Sequence, residues 1–114
     1  LLLQLEQELE EYFFNKRRIF SIPLDPKGTD FQRTVWDALQ KISYGESLSY
    51  KDVAENIKNS KAMRAVGGAC GKNPILILIP CHRVLGKDQS LGGFSAGIDN
   101  KKWLLNHEKI LFNK

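Results

Sequence analysis

Apolar residues recur at three- and four-residue intervals through most of the chain, which predicts a largely helical protein. Leu2, Leu5, Leu9, Tyr12 and Phe13 form one such stripe, with glutamates on the other face and Lys16-Arg17-Arg18 closing the helix with favourable charge. Ile19 to Leu24 alternates weakly, and Pro23 and Pro26 make it an extended connector. Thr29 with Gln32 three positions on reads as a capping box. The helix it opens carries Phe31, Val35, Leu39 and Ile42 on one face, with Trp36 and Ala38 beside them, until Ser43-Tyr44-Gly45-Glu46 breaks it. Ser49 is expected to cap a short helix with Val53, Ala54 and Ile57. After the turn Lys58-Asn59-Ser60, Ser60 is expected to cap another, with Ala62, Ala65, Val66 and Ala69 inward.

Two short helices around a tight polar turn read as a helix-turn-helix. Gly67 and Gly68 weaken the second helix by about 1 kcal/mol each, so they require a reason. Packing on the first helix is one; close contact with a nucleic-acid backbone is the other. Gly71-Lys72-Asn73-Pro74 ends the helix, and Ile75 to Ile79 reads as a short buried strand. Val84 to Gly97 is a glycine-rich loop, a lid or a plain surface loop. Asp99 is expected to cap a last helix bearing Trp103, Leu104, Glu108 and Leu111. The fold class is therefore mostly α (α+β), a helix-turn-helix protein with one short buried strand.

Composition narrows the function classes. At 114 residues the chain makes one domain with a modest core. Two cysteines without metal-ligand spacing argue against a disulfide scaffold and a zinc site, although a Cys70–Cys81 bridge stays open. No secretory signal is present, and no apolar run approaches the roughly 20 residues of a membrane span. Net charge is +4, but residues 1–14 hold four glutamates and no Lys or Arg, so the remaining 100 residues stand at +8. A basic body suits a polyanionic partner; solvated surface lysines explain the charge equally well. The chain begins at Leu1 and is read as a fragment or trimmed piece.

The candidate chemistry lies at Pro80-Cys81-His82-Arg83, behind the aliphatic run. A thiol with an ordinary pKa near 8.5 is only a few per cent thiolate at neutral pH, and a histidine can take its proton. His82 is the next residue, which makes a direct thiol–imidazole bond awkward and favours a bridging water. A carboxylate would orient the ring, and Glu108 is a candidate. Taken alone, a cysteine behind a buried strand is more commonly an inert core residue.

Five blocks change that weighting: Phe31-Gln32-Arg33-Thr34-Val35-Trp36; Tyr44-Gly45-Glu46 with Ser49-Tyr50; Arg64-Ala65-Val66-Gly67-Gly68-Ala69; Asn73-Pro74; and Ile79-Pro80-Cys81-His82-Arg83-Val84. In this order and spacing they resemble the active-site domain of the O6-alkylguanine-DNA alkyltransferases, from about Gly28 to Glu108. The resemblance implies a winged helix-turn-helix-like DNA-binding domain over 28–114. It implies that residues 1–27 are an amphipathic helix and connector, a candidate remnant of the family's further N-terminal domain.

The implied activity is irreversible, single-turnover transfer of a methyl or small alkyl group from guanine O6 in duplex DNA to Cys81. His82 would act as base through water, Glu108 would hold His82, Asn73 would brace the turn before the cysteine, and Tyr50 would protonate the leaving guanine. Arg64 would fill the stack vacated by a flipped base, and Ala65, Gly67 and Gly68 would let the helix approach the minor groove. Val84 and the Cys81 backbone would read the guanine amino group, Phe94, Ser95 and Ala96 would close the pocket, and Lys72 would contact a phosphate. Phe94 stands where many members have tyrosine. Cys70 and Gly71 stand where a larger or basic residue is common, and Leu76 where proline is frequent. Ala96 occupies a position that gates bulky alkyl groups. No cofactor, metal or membrane is implied. A monomer is expected, located in the cytoplasm with the nucleoid, or in the nucleus of a eukaryote.

Two other readings compete with this one. One is a non-reactive lesion-binding relative, whose kind carries tryptophan in place of the cysteine; Cys81 with His82 argues against it. The other is a transcription regulator, which needs base-reading side chains that the small-residue second helix scarcely offers.

Overall fold

The structure is a computed structural model and describes residues 2–113. Helix α1 spans Leu2–Phe13. Its expected stripe is only partly buried: Leu2 is 82% exposed, whereas Tyr12 is 0% and Glu8 only 3% exposed. Glu8 turns inward because its carboxylate accepts hydrogen bonds from the Ser21 amide (2.9 Å), the Ser21 hydroxyl (2.6 Å) and the Ile22 amide (3.3 Å), which folds the connector back along α1. Lys16-Arg17-Arg18 lie past the last turn, and Arg17 pairs with Glu11 at 2.8 Å.

Helix α2 (Asp30–Gln40) opens on the expected capping box, Thr29 with Gln32. It buries Val35, Trp36 and Leu39. The Trp36 indole lies so close to Gly28 that a Cβ there would sit 2.7 Å from the ring, so only glycine fits. Strand β1 (Leu48–Ser49) leads into α3 (Tyr50–Asn56), capped as expected by Ser49 with Asp52 returning the bond.

Helix α4 (Met63–Gly71) starts later than expected. Ser60 is not its cap; Ala62 occupies that position without a side-chain bond. The turn after α3 is closed by backbone instead, the Asn59 amide to the Ala54 carbonyl and the Ala62 amide to the Asn59 carbonyl. That shifts the helical phase: Ala62, Val66, Ala69 and Cys70 are buried while Ala65 is exposed, contrary to the expectation. The Trp36 indole N–H donates to the Ala69 carbonyl at 2.9 Å and fastens α2 to α4. Val35, Trp36, Leu39, Val53, Val66, Ile79 and Val84 belong to the main core.

Ile75 to Ile79 is not a strand. It is a tight turn closed by a Leu76–Ile79 bridge and the Ile79 amide bonding the Ile75 carbonyl at 3.0 Å, with Ile77 at φ 75°. The strand lies after the cysteine: β2 (Val84–Leu85) runs parallel to β1, Leu48 opposite Val84 and Ser49 opposite Leu85. Between turn and strand, Cys81–Arg83 forms one 3-10 turn. Helix α5 (Ile98–His107) is entered through Gly97 at φ 100°, and Asp99 lies in its first turn rather than at its cap. Both cysteines are free. Among the described residues no helix is long and apolar enough to cross a membrane.

Candidate active site

The turn before the cysteine is organised by one side chain. Asn73 donates from Nδ2 to the Ile79 carbonyl (2.7 Å) and accepts the Ile75 amide at Oδ1 (2.9 Å), so its carboxamide spans the base of the turn. Pro80 then starts the 3-10 turn, and the Cys81 amide bonds the Ile79 carbonyl at 2.8 Å. Cys81 lies 4% exposed at the wall of a cleft of about 460 Å³. Tyr50 from α3, Arg64, Gly67 and Cys70 from α4, and Phe94 and Ser95 from the loop before α5 share that wall. Burial pushes the thiol above its ordinary value, opposed by a hydrogen bond from Asn73 and by the charge of Lys101.

Behind the thiol lies a buried ionic cluster centred on Glu108, the residue that ends α5. Its Oε2 accepts from His82 Nε2 (2.7 Å), Tyr12 Oη (2.6 Å) and Arg83 Nη2 (3.0 Å); its Oε1 accepts from Arg83 Nε (2.7 Å) and the Gly45 amide (3.3 Å). Burial alone would raise this carboxyl, but the donors, His82 and Arg83 foremost, bring it down to about 2. At neutral pH it is an anion and only accepts, so Nε2 of His82 carries the proton. Burial holds His82 below the usual histidine range despite the carboxylate, which leaves the ring neutral with a free lone pair at Nδ1. Among the described residues that Nδ1 is the one buried side-chain nitrogen or oxygen without a hydrogen-bond partner.

Tyr50 is half-buried, and burial followed by the nearby thiols pushes its hydroxyl up to about 12, so it remains a proton donor at neutral pH. Its ring lies against Gly92, where a Cβ would approach Tyr50 Oη to 3.1 Å at φ 66°. The backbone carbonyl of Val84 accepts from the Lys101 ammonium at 2.8 Å.

Other expected site residues are spread more widely. Ala65, Gly68 and Lys72 are exposed on or just after α4 and do not line the cleft. A Cβ on Gly68 would meet nothing within 4 Å, and one on Gly67 would make ordinary contact with Tyr50 at 3.9 Å, so packing inside the chain does not require either glycine. Ala96 lines a smaller neighbouring cleft of about 230 Å³ with Trp103 and Leu104; Phe94 forms the wall common to both.

Tyr12 and Lys101 near the site escape sequence reasoning, and Arg83 stands in the cysteine motif with no role assigned to it. Arg83 also donates to the Ile42 carbonyl at 2.7 Å, joining the end of α2 to the cysteine turn. Lys101 is 0% exposed. A signal for it existed, because positions 101, 104, 105 and 108 fall on one helical face. Among the described residues no cluster of His, Cys, Asp and Glu could hold a metal ion.

Residues 30–110 match the family model described as 6-O-methylguanine DNA methyltransferase, DNA binding domain. The chain is 55% identical over 102 residues to the methylated-DNA–protein-cysteine methyltransferase of Haemophilus influenzae, covering 89% of this chain and 57% of that protein. It is 46% identical over 114 residues to the constitutive protein of the same name from Bacillus subtilis, covering 99% and 69%. A crystal structure of Mycobacterium tuberculosis OGT in complex with DNA superposes with TM-score 0.92 at 46% identity, over 94% of this chain and 66% of that one. The chain thus spans roughly three-fifths to two-thirds of the length of such relatives. With a family model covering most of its length and relatives at this identity, the chain belongs to the 6-O-methylguanine DNA methyltransferase family, matched in its DNA-binding domain.

Proposed function

We propose that this chain repairs O6-alkylguanine in duplex DNA by moving the alkyl group onto its own Cys81. The observation that carries the reading is that Cys81 stands at the wall of an open cleft and that the next residue, a Glu108-anchored His82, keeps a neutral, partner-free Nδ1. The names of the methyltransferase relatives and the DNA-bound OGT structure support the substrate class.

The reaction is a single displacement. His82 Nδ1 takes the thiol proton through a bridging water. The sulfur attacks the alkyl carbon, a carbon–sulfur bond forms, and the carbon–O6 bond breaks. Guanine leaves as an anion and takes the Tyr50 proton; imidazolium and tyrosinate then re-equilibrate with solvent. The thioether has no good leaving group, so each molecule turns over once.

A stacked duplex hides the target atom. The base must flip out, at a cost of roughly a few kcal/mol. Exposed Arg64, beside the cleft, fills the vacated stack, and the open space around Gly67 and Gly68, with Ala65 beside them, admits the sugar backbone. Lys72 contacts a phosphate. Phe94 stacks on the base, Ser95 closes over it, and the Val84 and Cys81 carbonyls read its amino group. Ala96 sets the room left for a larger alkyl group through the adjoining cleft. The acting unit is a monomer, working where chromosomal DNA is.

The test is an intact mass spectrum after mixing with duplex containing O6-methylguanine. A gain of one methylene's mass, mapped to the Cys81 peptide and saturating at one equivalent, is expected; Cys81→Ala should bind the duplex and gain nothing. Tight binding of the lesion without any mass change would instead make this a lesion-recognition protein.

A further inference from the structure

Lys101 is the buried charge that this mechanism does not use. Resting on the alkyl-transfer reading, we infer that Lys101 is a positioning residue for the transfer: its ammonium ties the loop carrying Phe94 and Ser95 to the Val84 carbonyl and stabilises the Cys81 sulfur as an anion.

The geometry carries the first half. Lys101 Nζ donates to the Val84 carbonyl at 2.8 Å and to the Gly93 carbonyl at 3.2 Å. Val84 follows the cysteine turn, and Gly93 immediately precedes Phe94, so one ammonium joins the strand after the reactive cysteine to the loop that walls the cleft. Glycines at 92 and 93 give that loop little stiffness of its own, which leaves the tether to set its position. The ammonium uses one lone pair of the Val84 carbonyl and leaves the other for an incoming amino group.

The electrostatic half follows from what Lys101 lacks. Lysine is almost never fully buried unless it is paired. Among the described residues no carboxylate forms an ion pair with Lys101; its partners are two neutral carbonyls and the face of Tyr50, 6.0 Å away. A desolvated charge without a counter-ion is costly. The titratable groups that face it are Cys81 from the 3-10 turn, Cys70 from α4 and Tyr50 from α3. Cys70 and Tyr50 are both held up near 12 and stay neutral. Before the displacement Cys81 alone among them must become an anion, and its formation supplies the missing counter-charge. Burial lowers Lys101 to about 8, which keeps it mostly protonated at neutral pH.

The test is the rate at which iodoacetamide alkylates Cys81 as a function of pH, without DNA, in the unaltered protein, Lys101→Met and Lys101→Arg, each checked for native circular dichroism. Lys101→Met should raise the midpoint of the thiol profile by about one unit and slow alkylation near neutrality about tenfold. Lys101→Arg should recover most of that loss, because the charge returns. Single-turnover transfer at saturating O6-methylguanine duplex should fall in the same order, with a smaller change in duplex Kd.

A purely structural lysine predicts the opposite sign. Its loss loosens the cleft, so Cys81 alkylates as fast or faster at an unchanged midpoint, and that result overturns the inference. Should Lys101→Met not fold, the unaltered protein still decides. By reciprocal linkage, capping Cys81 with a methyl group should lower the Lys101 titration seen by side-chain nitrogen NMR; an unmoved titration refutes the coupling. Absence of any methyl gain from the lesion duplex would sink the alkyl-transfer reading separately, since the iodoacetamide profile needs no DNA.

Discussion

The two nitrogens of His82 face different tasks. Nε2 donates to a carboxylate that four donor groups hold as an anion, while Nδ1 keeps its lone pair in a site too dry to charge easily. The ring is therefore a base that is not already protonated at neutral pH. Because burial places its titration below the ordinary histidine range, transfer should be flat with pH around neutrality. On the acid side it should fall below about 6.5, where imidazolium forms. Tyr50 is the complementary acid. Tyr50→Phe keeps the ring against Gly92 and removes only the hydroxyl, so it should slow single-turnover transfer by about 10²-fold. Duplex Kd should change by less than about threefold, within ordinary mutational noise. An equal loss in binding and rate would mean that the hydroxyl holds DNA rather than donating a proton.

Elements were legible where local chemistry decides them. The capping box at Thr29 and the cap at Ser49 stand where the spacing placed them, because a cap and its partner lie within four residues. Ile75 to Ile79 misled because an apolar run has the same pattern whether it is a strand or a buried turn. The deciding contact is the Asn73 carboxamide bridging Ile75 and Ile79, which no periodicity encodes. The five-block motif pointed to Cys81 and His82, whereas Lys101 and Tyr12 were missed because each gains its meaning from a partner far along the chain. Tyr12 is the stronger case. It comes from α1, yet its hydroxyl reaches Glu108 at 2.6 Å and its carbonyl accepts from His107 at 2.8 Å. Helix α1 is thereby a wall of the ionic cluster. Tyr12→Phe preserves the ring packing with Phe20 and Tyr44 and deletes one hydrogen bond to a buried anion. Urea unfolding should report a loss of about 1.5–3 kcal/mol with an unchanged m-value.

Over the whole molecule, Glu108 is where separate parts of the chain meet: Tyr12 of α1, Gly45 of the break after α2, His82 and Arg83 of the cysteine turn, and α5 itself. That makes this carboxylate, with Glu8, a source of the response to acid. Its titration is lowered to about 2 in the folded protein from an ordinary 4.5. The unfolded chain therefore binds the proton first, and stability falls as pH drops through this window. The contribution is complete above about 4.5 and gone below about 2, and at about 1.36 kcal/mol per unit it is on the order of 3 kcal/mol. His82 adds loss in the same direction, beginning near 6.5, because the folded protein resists the proton that the unfolded chain accepts. Urea unfolding measured from pH 7 to pH 2.5 should show this decline. Glu108→Gln should be several kcal/mol less stable at neutral pH, since it strands Arg83 without its counter-ion, and should lose its own share of the slope below about pH 4.5, while Glu8, also lowered to about 2 by its Ser21 hydrogen bonds, keeps the rest. A variant that keeps the full acid slope would place the titrating carboxylates elsewhere on the surface and leave Glu108 a positioning role alone.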